Sequence, residues 1–215
     1  MRAVLIPVKD LKCAKQRLAP HLTQQERTAL AEAMFEDVCA AVAGVHAADR
    51  IYLVSNWEPA IDQARTRGWE TIPEREQQSE SASVDFASRL CAEQGVTSLL
   101  RLPIDIPLVE ASDIDEVLQG VSGIPSTVLV PSRSGTGTNA LLRSPPTLFA
   151  SHFGPDSFHK HVEEARRSGA ACRVLRNPRI ELDIDDLADV QAFISTAGKA
   201  TATYRWLEHL GFCLT

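Results

Sequence analysis

The chain has 215 residues, of which 22 are Lys or Arg and 28 are Asp or Glu, so its formal net charge is −6. This length suits one domain, and an apolar fraction of 44% with a charged fraction of 23% excludes a disordered or fibrous protein. Net acidity disfavours nucleic acid as a partner, and the absence of an apolar run of roughly 20 residues disfavours a membrane. The five scattered cysteines favour a reducing, cytoplasmic location.

Short apolar runs alternate along the chain with longer amphipathic runs. They predict strands over residues 3–8, 50–55, 70–72, 97–102, 127–130, 140–142, 172–175 and 182–184. A capping box of Thr23 and Glu26 predicts the start of the first helix, and further helices are predicted over 60–67, 83–93, 112–118, 157–168 and 186–194. We expect one domain over residues 1–200 and a helical C-terminal tail over 201–215.

This alternation of strands and helices predicts an α/β fold, with a mostly parallel central sheet and helices on both faces. Two successive strands within residues 127–142 predict an antiparallel excursion in the second half. Sheets of this kind bind ligands at the carboxyl ends of their strands. The loops that follow strands are therefore the candidates for a functional site.

The loop after the first predicted strand carries four cations, Lys9, Lys12, Lys15 and Arg17, in a chain that is acidic overall. A polyphosphate at the sheet edge requires such charges, and the guanidinium of Arg17 can bind two oxygens at once. An ordinary solvated loop explains the same residues equally well. The loop lacks the glycine patterns of P-loop hydrolases and dinucleotide dehydrogenases, which removes the main support for those two classes.

Acidic residues follow two further predicted strands. Asp105 lies between two prolines directly after a buried strand, where the rings limit the movement of the turn, although Asp105 could serve only to stabilise that turn. Asp183 and Asp185 alternate onto one face of the strand predicted over 182–184, and capping of the next helix is an alternative role for Asp185 or Asp186. Together these carboxylates are suited to hold one or two Mg²⁺ ions.

Two loops rich in small residues, 132–139 and 152–161, can offer backbone N–H and hydroxyl groups to phosphate oxygens. A simple hairpin turn also explains the first loop. The three histidines of the second loop lack zinc-binding spacing and are interpreted as surface or supporting residues. No loop carries a catalytic triad, so cations, acids and phosphate-binding backbone at one sheet edge indicate phosphoryl or nucleotidyl transfer.

Six segments follow one another along residues 2–195: IPVKDLKCAKQRLAP, LTQQER, RLPIDIPLV, SGTGTNALL, HFGPDSFHKH and LDIDDLADV. In this order they resemble the 2-phospho-L-lactate guanylyltransferase family. The resemblance implies a single-domain, Rossmann-like nucleotidyltransferase of the nucleotide-diphospho-sugar transferase superfamily. It implies that GTP and Mg²⁺ are used, that diphosphate is released, and that the enzyme is a homodimer in coenzyme F(420) biosynthesis. The acceptor in the family is 2-phospho-L-lactate, phosphoenolpyruvate or 3-phospho-D-glycerate.

The resemblance also implies roles for the charged residues. Lys15 and Arg17 match the basic loop that holds the GTP triphosphate and, with Asp105, are the expected catalytic residues. Asp105, Asp183 and Asp185 match acidic positions of the family and are the expected metal ligands, and at least one of Asp183 and Asp185 should bind the metal.

Five residues are expected to bind substrate: Lys9, Gly137, Thr138, Gly154 and Ser157. The last three match positions that hold the acceptor phosphate in the family. The chain departs from the family over residues 78–85, where many members have a Gly-Leu-Asn-x-Ala segment, so the identity of the acceptor stays open. Two alternatives remain: a nucleotidyltransferase for a sugar phosphate or molybdopterin, and a GTP-binding regulator without activity.

Overall fold

A computed structural model describes residues 1–76, 78–120, 123–196 and 200–212. These residues form a seven-stranded sheet with helices packed against it. The strands are β1 (Arg2–Val8), β2 (Arg50–Ser55), β3 (Glu70–Pro73), β4 (Ser98–Arg101), β5 (Ser126–Pro131), β6 (Thr138–Ser144) and β7 (Ala171–Val174). The helices are α1 (Gln24–Ala43), α2 (Glu58–Thr66), α3 (Glu80–Glu93), α4 (Ala111–Gln119), α5 (Ser157–Arg167), α6 (Pro178–Glu181), α7 (Leu187–Thr196) and α8 (Ala202–His209).

The strand order across the sheet is β3-β2-β1-β4-β6-β5-β7. Among the described strands, β6 runs antiparallel to both of its neighbours, and the other neighbouring pairs are parallel. The predicted mostly parallel sheet with an antiparallel excursion is therefore confirmed, since β5 and β6 form the hairpin that breaks the alternation. This topology brings the carboxyl ends of β1, β4 and β5 to the same edge as the start of β6.

The central strands are continuously apolar because both faces of the sheet are covered. Val4 and Ile6 belong to a large core shared with α1, whereas Leu5 faces a second core shared with α3. Helix α1 starts at the predicted capping box, in which the backbone N–H of Thr23 donates to the carboxylate of Glu26 at 2.7 Å. The core thus fixes the strands, and the loops at their carboxyl ends are held on a rigid base.

The strand predicted over residues 182–184 is wrong. This segment connects α6 to α7 without joining the sheet, and the backbone N–H of Ile184 instead donates to the carbonyl oxygen of Asp105 at 3.0 Å. Leu182 and Ile184 are still buried, with exposed fractions of 5% and 0%. The alternation of apolar and acidic residues therefore arises from docking onto the core rather than from a strand ladder.

Helix α8 lies against α1. The side chain of Leu207 is fully buried in the large core, and the backbone N–H groups of Ala202 and Thr203 donate to the Asp37 carboxylate at 2.6 and 2.8 Å. The division of the chain at residue 200 stays a prediction, and the last three residues of the predicted tail, 213–215, lie outside the described residues. Within the described ranges, no helix is both long and apolar enough to cross a lipid bilayer.

Candidate active site

A cavity of about 690 Å³ opens at the edge of the sheet where these strand ends meet. The predicted site residues that line it are Arg17, Asp105, Gly137, Thr138, Gly154, Ser157, Asp183 and Asp185. Lys15 reaches the same place through its ammonium group, which contacts two of the lining carboxylates. Lys9 lines a smaller adjoining cavity of about 180 Å³, which shares Asp105 with the first. The structure therefore brings residues from five separate segments to one concave surface.

The ammonium group of Lys15 lies between two acids that are distant in the sequence. Its Nζ donates to Asp105 Oδ2 at 2.8 Å and to Asp185 Oδ1 at 2.9 Å, and its side chain is only 9% exposed. Burial alone would lower the pKa of Lys15, but the charges and hydrogen bonds of the two carboxylates outweigh it and raise the pKa above its ordinary value. Lys15 thus stays positively charged. The exposed guanidinium of Arg17 adds a second cation, 3.6 Å from Asp185 Oδ2.

Two residues at this cavity have unusual backbone conformations. Among the described non-glycine residues, only Lys15 and Asp156 have positive φ angles, of 52° and 57°. A side chain in this left-handed region costs about 1–3 kcal/mol, and such residues cluster at functional sites. Both lie at loops that border the cavity, which supports a functional rather than a purely structural interpretation of these loops.

Asp183 and Asp185 experience opposite electrostatic environments. Burial, followed by the charge of Asp105, raises the pKa of Asp183 to about 6. A hydrogen bond from Asn139 Nδ2 at 3.1 Å acts in the opposite direction and lowers this pKa. Burial would also raise the pKa of Asp185, but the charge and hydrogen bond of Lys15 hold it below its ordinary value. Of these two carboxylates, Asp183 is therefore the one whose negative charge is less compensated.

The donor chemistry of this cluster fits a hard divalent cation, because carboxylate oxygens are the ligands that Mg²⁺ prefers. Three acids share the cavity, and burial together with the charge of Asp105 raises the pKa of one of them, Asp183, to about 6. In the part of the chain that the structure describes, no group of three or more His, Cys, Asp or Glu side chains is arranged around a single point for a metal ion. Instead, Lys15 is the cation between Asp105 and Asp185.

The cavity lining also includes backbone turns and hydroxyl groups. Ser157 begins α5, and its backbone N–H donates to the carbonyl of Gly154 at 3.2 Å. Gly154 has a φ of 116°, a conformation that glycine adopts without strain. The backbone N–H of Gly137 donates to Ser132 Oγ at 2.9 Å, so this group is directed at the serine. A Cβ at position 137 would lie 2.8 Å from the same oxygen, which explains why a glycine stands there.

Sequence reasoning missed a buried arginine on the cavity wall. Arg101 is 6% exposed, donates to the Glu80 carboxylate and to the carbonyl of Thr138, and lies with its guanidinium carbon 4.1 Å from the centroid of the Phe153 ring. The sequence signal for this residue is a single charge inside the otherwise apolar run 99–102. A buried arginine requires hydrogen-bond partners, so such a residue indicates that polar groups lie nearby.

The histidines of residues 152–161 do not share one environment. His159 is exposed, as expected for a surface residue, and its Nδ1 lies 2.5 Å from Asp156 Oδ1. His161 is fully buried, so it is not a surface residue, and its supporting role stays a prediction. Burial, and next the positive charge of Arg143, lowers the pKa of His161 to about 3. His161 is consequently a neutral side chain behind the cavity wall, in contact with Thr138.

Comparison with known proteins agrees with this geometry. The whole chain, residues 1–215, matches the family described as guanylyl transferase CofC like. The chain belongs to this family. A phosphoenolpyruvate guanylyltransferase from Rubrobacter xylanophilus is 34% identical to it, over 90% of this chain and 94% of the relative. A 2-phospho-L-lactate guanylyltransferase from Methanothermobacter thermautotrophicus is 30% identical, over 97% of this chain and 90% of the relative.

A solved structure from Desulfovibrio desulfuricans G20, provisionally named a nucleotide-diphospho-sugar transferase, superposes with a TM-score of 0.78. It covers 98% of this chain and 95% of its own, with 16% sequence identity, so this likeness shows the fold. The predicted family and fold class are thereby confirmed, and the CofC-like chain is a nucleotidyltransferase of the guanylyl type. The roles of the individual site residues stay predictions.

Proposed function

We propose that this CofC-like enzyme transfers GMP from GTP to the phosphate group of a small phosphorylated carboxylic acid, with release of diphosphate, in coenzyme F(420) biosynthesis. The candidate acceptors are phosphoenolpyruvate, 2-phospho-L-lactate and 3-phospho-D-glycerate. The observation that carries the proposal is the meeting of Lys15 with Asp105 and Asp185, at 2.8 and 2.9 Å, in the cavity that Thr138 also lines. The names of the relatives support the guanylyl donor and the class of acceptor.

The proposal includes Mg²⁺ as the cofactor, held by Asp105 together with at least one of Asp183 and Asp185. When bound, Mg²⁺ would offset the negative charge of the phosphates that must approach one another. The oxygen donor set and the poorly compensated charge of Asp183 support this assignment. The homodimer and the cytoplasmic location stay predictions.

The proposed role of this chain's own side chains is to position the substrates and to neutralise the charge of their phosphates. An acceptor phosphate oxygen attacks the α-phosphorus of GTP in line, so the new P–O bond forms as the bond to the β-phosphate oxygen breaks. Lys15, which stays charged, and the exposed Arg17 neutralise the diphosphate that leaves. A phosphate monoester is largely ionised at neutral pH, since its second pKa is about 6, so the attack needs no general base. A neutral, buried His161 is consistent with that requirement.

The test is incubation with GTP, Mg²⁺ and each of the three acids, followed by mass spectrometry of the products and a diphosphate assay. We expect a guanylylated acid from at least one of them. Asp105→Asn should lower the rate about 10²-fold or more, because it removes charge from the reacting centre. Asp62→Asn is the matched control, since Asp62 is 65% exposed on α2, and it should keep the wild-type rate. Absence of a guanylylated acid with all three, or full activity of Asp105→Asn, would contradict the proposal.

A further inference from the structure

His161 and Thr138 meet behind the wall of the cavity. Thr138 begins β6, His161 lies in the second turn of α5, and the Thr138 Oγ1 and His161 Nδ1 atoms are 2.9 Å apart. The other ring nitrogen, Nε2, lies 2.9 Å from the backbone nitrogen of His152. His161 is fully buried, whereas Thr138 is 6% exposed and lines the cavity. The imidazole therefore touches the loop of residue 152 on one side and a cavity hydroxyl on the other.

The contact with His152 decides where the imidazole proton lies. The backbone N–H of His152 can only donate, so His161 Nε2 accepts and carries no proton. A neutral imidazole has one N–H, which must then be on Nδ1. His161 is neutral because burial and the nearby positive charges of Arg143 and Arg101 lower its pKa to about 3, although Asp85 acts in the opposite direction. The Nδ1–H group is thus directed at Thr138.

This tautomer fixes the role of the Thr138 hydroxyl group. Its oxygen accepts the hydrogen bond from His161 Nδ1, so its own proton must be donated elsewhere. Within the described part of the chain, the hydroxyl has no hydrogen-bond partner besides His161. The proton is therefore left for a group inside the cavity. Phosphate oxygens that carry negative charge are strong acceptors for such a donor.

We propose that His161 is a positioning residue, which holds the Thr138 hydroxyl group as a fixed donor to the phosphate of the acceptor. This inference rests on the proposed function, because it takes the acceptor phosphate to lie at Thr138. A hydroxyl without this neighbour can rotate and must be oriented when the substrate binds. With His161 in place, the donor is already oriented before the acceptor arrives.

Two matched variants separate this role from a merely structural one. In His161→Asn, the side-chain amide can replace the Nδ1–H donor to Thr138 but not the acceptor for His152. In His161→Gln, the carbonyl oxygen can replace that acceptor but not the donor. We expect His161→Gln to raise the KM for the acceptor about three- to tenfold, with the KM for GTP unchanged, and His161→Asn to stay within about twofold of wild type. The opposite order would overturn the inference.

A double-mutant cycle tests whether His161 acts through the hydroxyl group. Thr138→Val should raise the acceptor KM about ten- to a hundredfold, and Thr138→Ser, which keeps the hydroxyl, should raise it far less. Adding His161→Gln to Thr138→Val should cause no further rise, because the hydroxyl that His161 orients is already absent. Independent, multiplicative effects of the two substitutions would overturn the inference.

One measurement can be made on the wild-type protein and does not depend on whether the variants fold. Heteronuclear NMR of the histidine ring nitrogens should show His161 protonated at Nδ1, and protonation at Nε2 would overturn the inference. If the wild-type enzyme guanylylates none of the three acids, the proposed function fails. If it guanylylates one of them but the cycle is multiplicative or the other tautomer is found, only the inference about His161 fails.

Discussion

Replacement of Lys15 by methionine tests whether this ammonium group balances the acids of the cavity. The substitution removes two charge-assisted hydrogen bonds, at 2.8 and 2.9 Å, and leaves their acceptors in place. Each such bond contributes about 1.5–3 kcal/mol. The Asp105 and Asp185 side chains are 24% and 41% exposed, and solvent screening puts both bonds at the lower end of that range. We therefore expect Lys15→Met to lower the free energy of unfolding by about 3 kcal/mol.

Urea denaturation at fixed pH measures this change, with an unchanged m-value as the sign of two-state unfolding. Lys9→Met is the matched control, since Lys9 is an exposed lysine of the same loop, and it should change stability by less than about 0.5 kcal/mol. A loss below about 0.5 kcal/mol for Lys15→Met, or equal losses for both variants, would refute the charge balance described here.

Three further predictions concern stability and binding away from Lys15. Asp113→Ala should lower the free energy of unfolding, measured by urea denaturation, by about 3 kcal/mol. The reason is that the Asp113 side chain, in a residue only 3% exposed, accepts hydrogen bonds from Arg179 at 2.7 and 2.5 Å. A loss below about 1 kcal/mol would contradict this prediction. Burial, and next the charge of Arg143, lowers the pKa of His161 to about 3, so below about pH 6.5 the unfolded chain binds a proton that the folded chain does not. Wild-type stability should consequently fall by up to about 1.4 kcal/mol per pH unit relative to His161→Gln as the pH decreases towards 4, and parallel pH profiles would contradict the assignment. Gly154 and Gly95 have positive φ angles, of 116° and 86°. Replacing either by alanine should therefore lower the stability measured by thermal unfolding to a similar extent. Only Gly154→Ala should also raise the KM for the acceptor.

Hydrophobic pattern predicted the order of strands and helices well, because continuous apolar runs and amphipathic runs have different periods. The reversal at β6 was also visible, since two short strands flank one loop with no helix between them. The wrong strand prediction at residues 182–184 shows what the hydrophobic pattern cannot predict. Alternating burial of Leu182 and Ile184 is what a strand would give, yet here it comes from docking of an irregular segment against Asp105. The sequence pattern thus showed that Leu182 and Ile184 are buried, but not which backbone groups their segment pairs with.

The residues of the candidate site could be predicted where a charged residue follows an apolar strand in the sequence. Lys15 and the acids follow strands, and topology alone brings strand ends together. Contacts between distant side chains were not predictable, because they depend on the register of the sheet and the packing of α5. Thus the position of Lys15 between Asp105 and Asp185, and the contact of His161 with Thr138, could be seen only in the structure.

The hydrogen bond from the Ile184 amide to the Asp105 carbonyl joins the two acidic segments directly through their backbones. The side-chain amide of Asn139 in β6 also holds the start of the second segment, since it donates to the carbonyls of Ile180 and Glu181 at 2.9 and 3.1 Å. We therefore expect the spacing of the two acidic segments to change little when a substrate binds, because a change would break this main-chain hydrogen bond. Acceptors of different length are then more easily accommodated by changes in the other turns that line the cavity, so altered substrate preference should be engineered in residues 132–137 and 152–156.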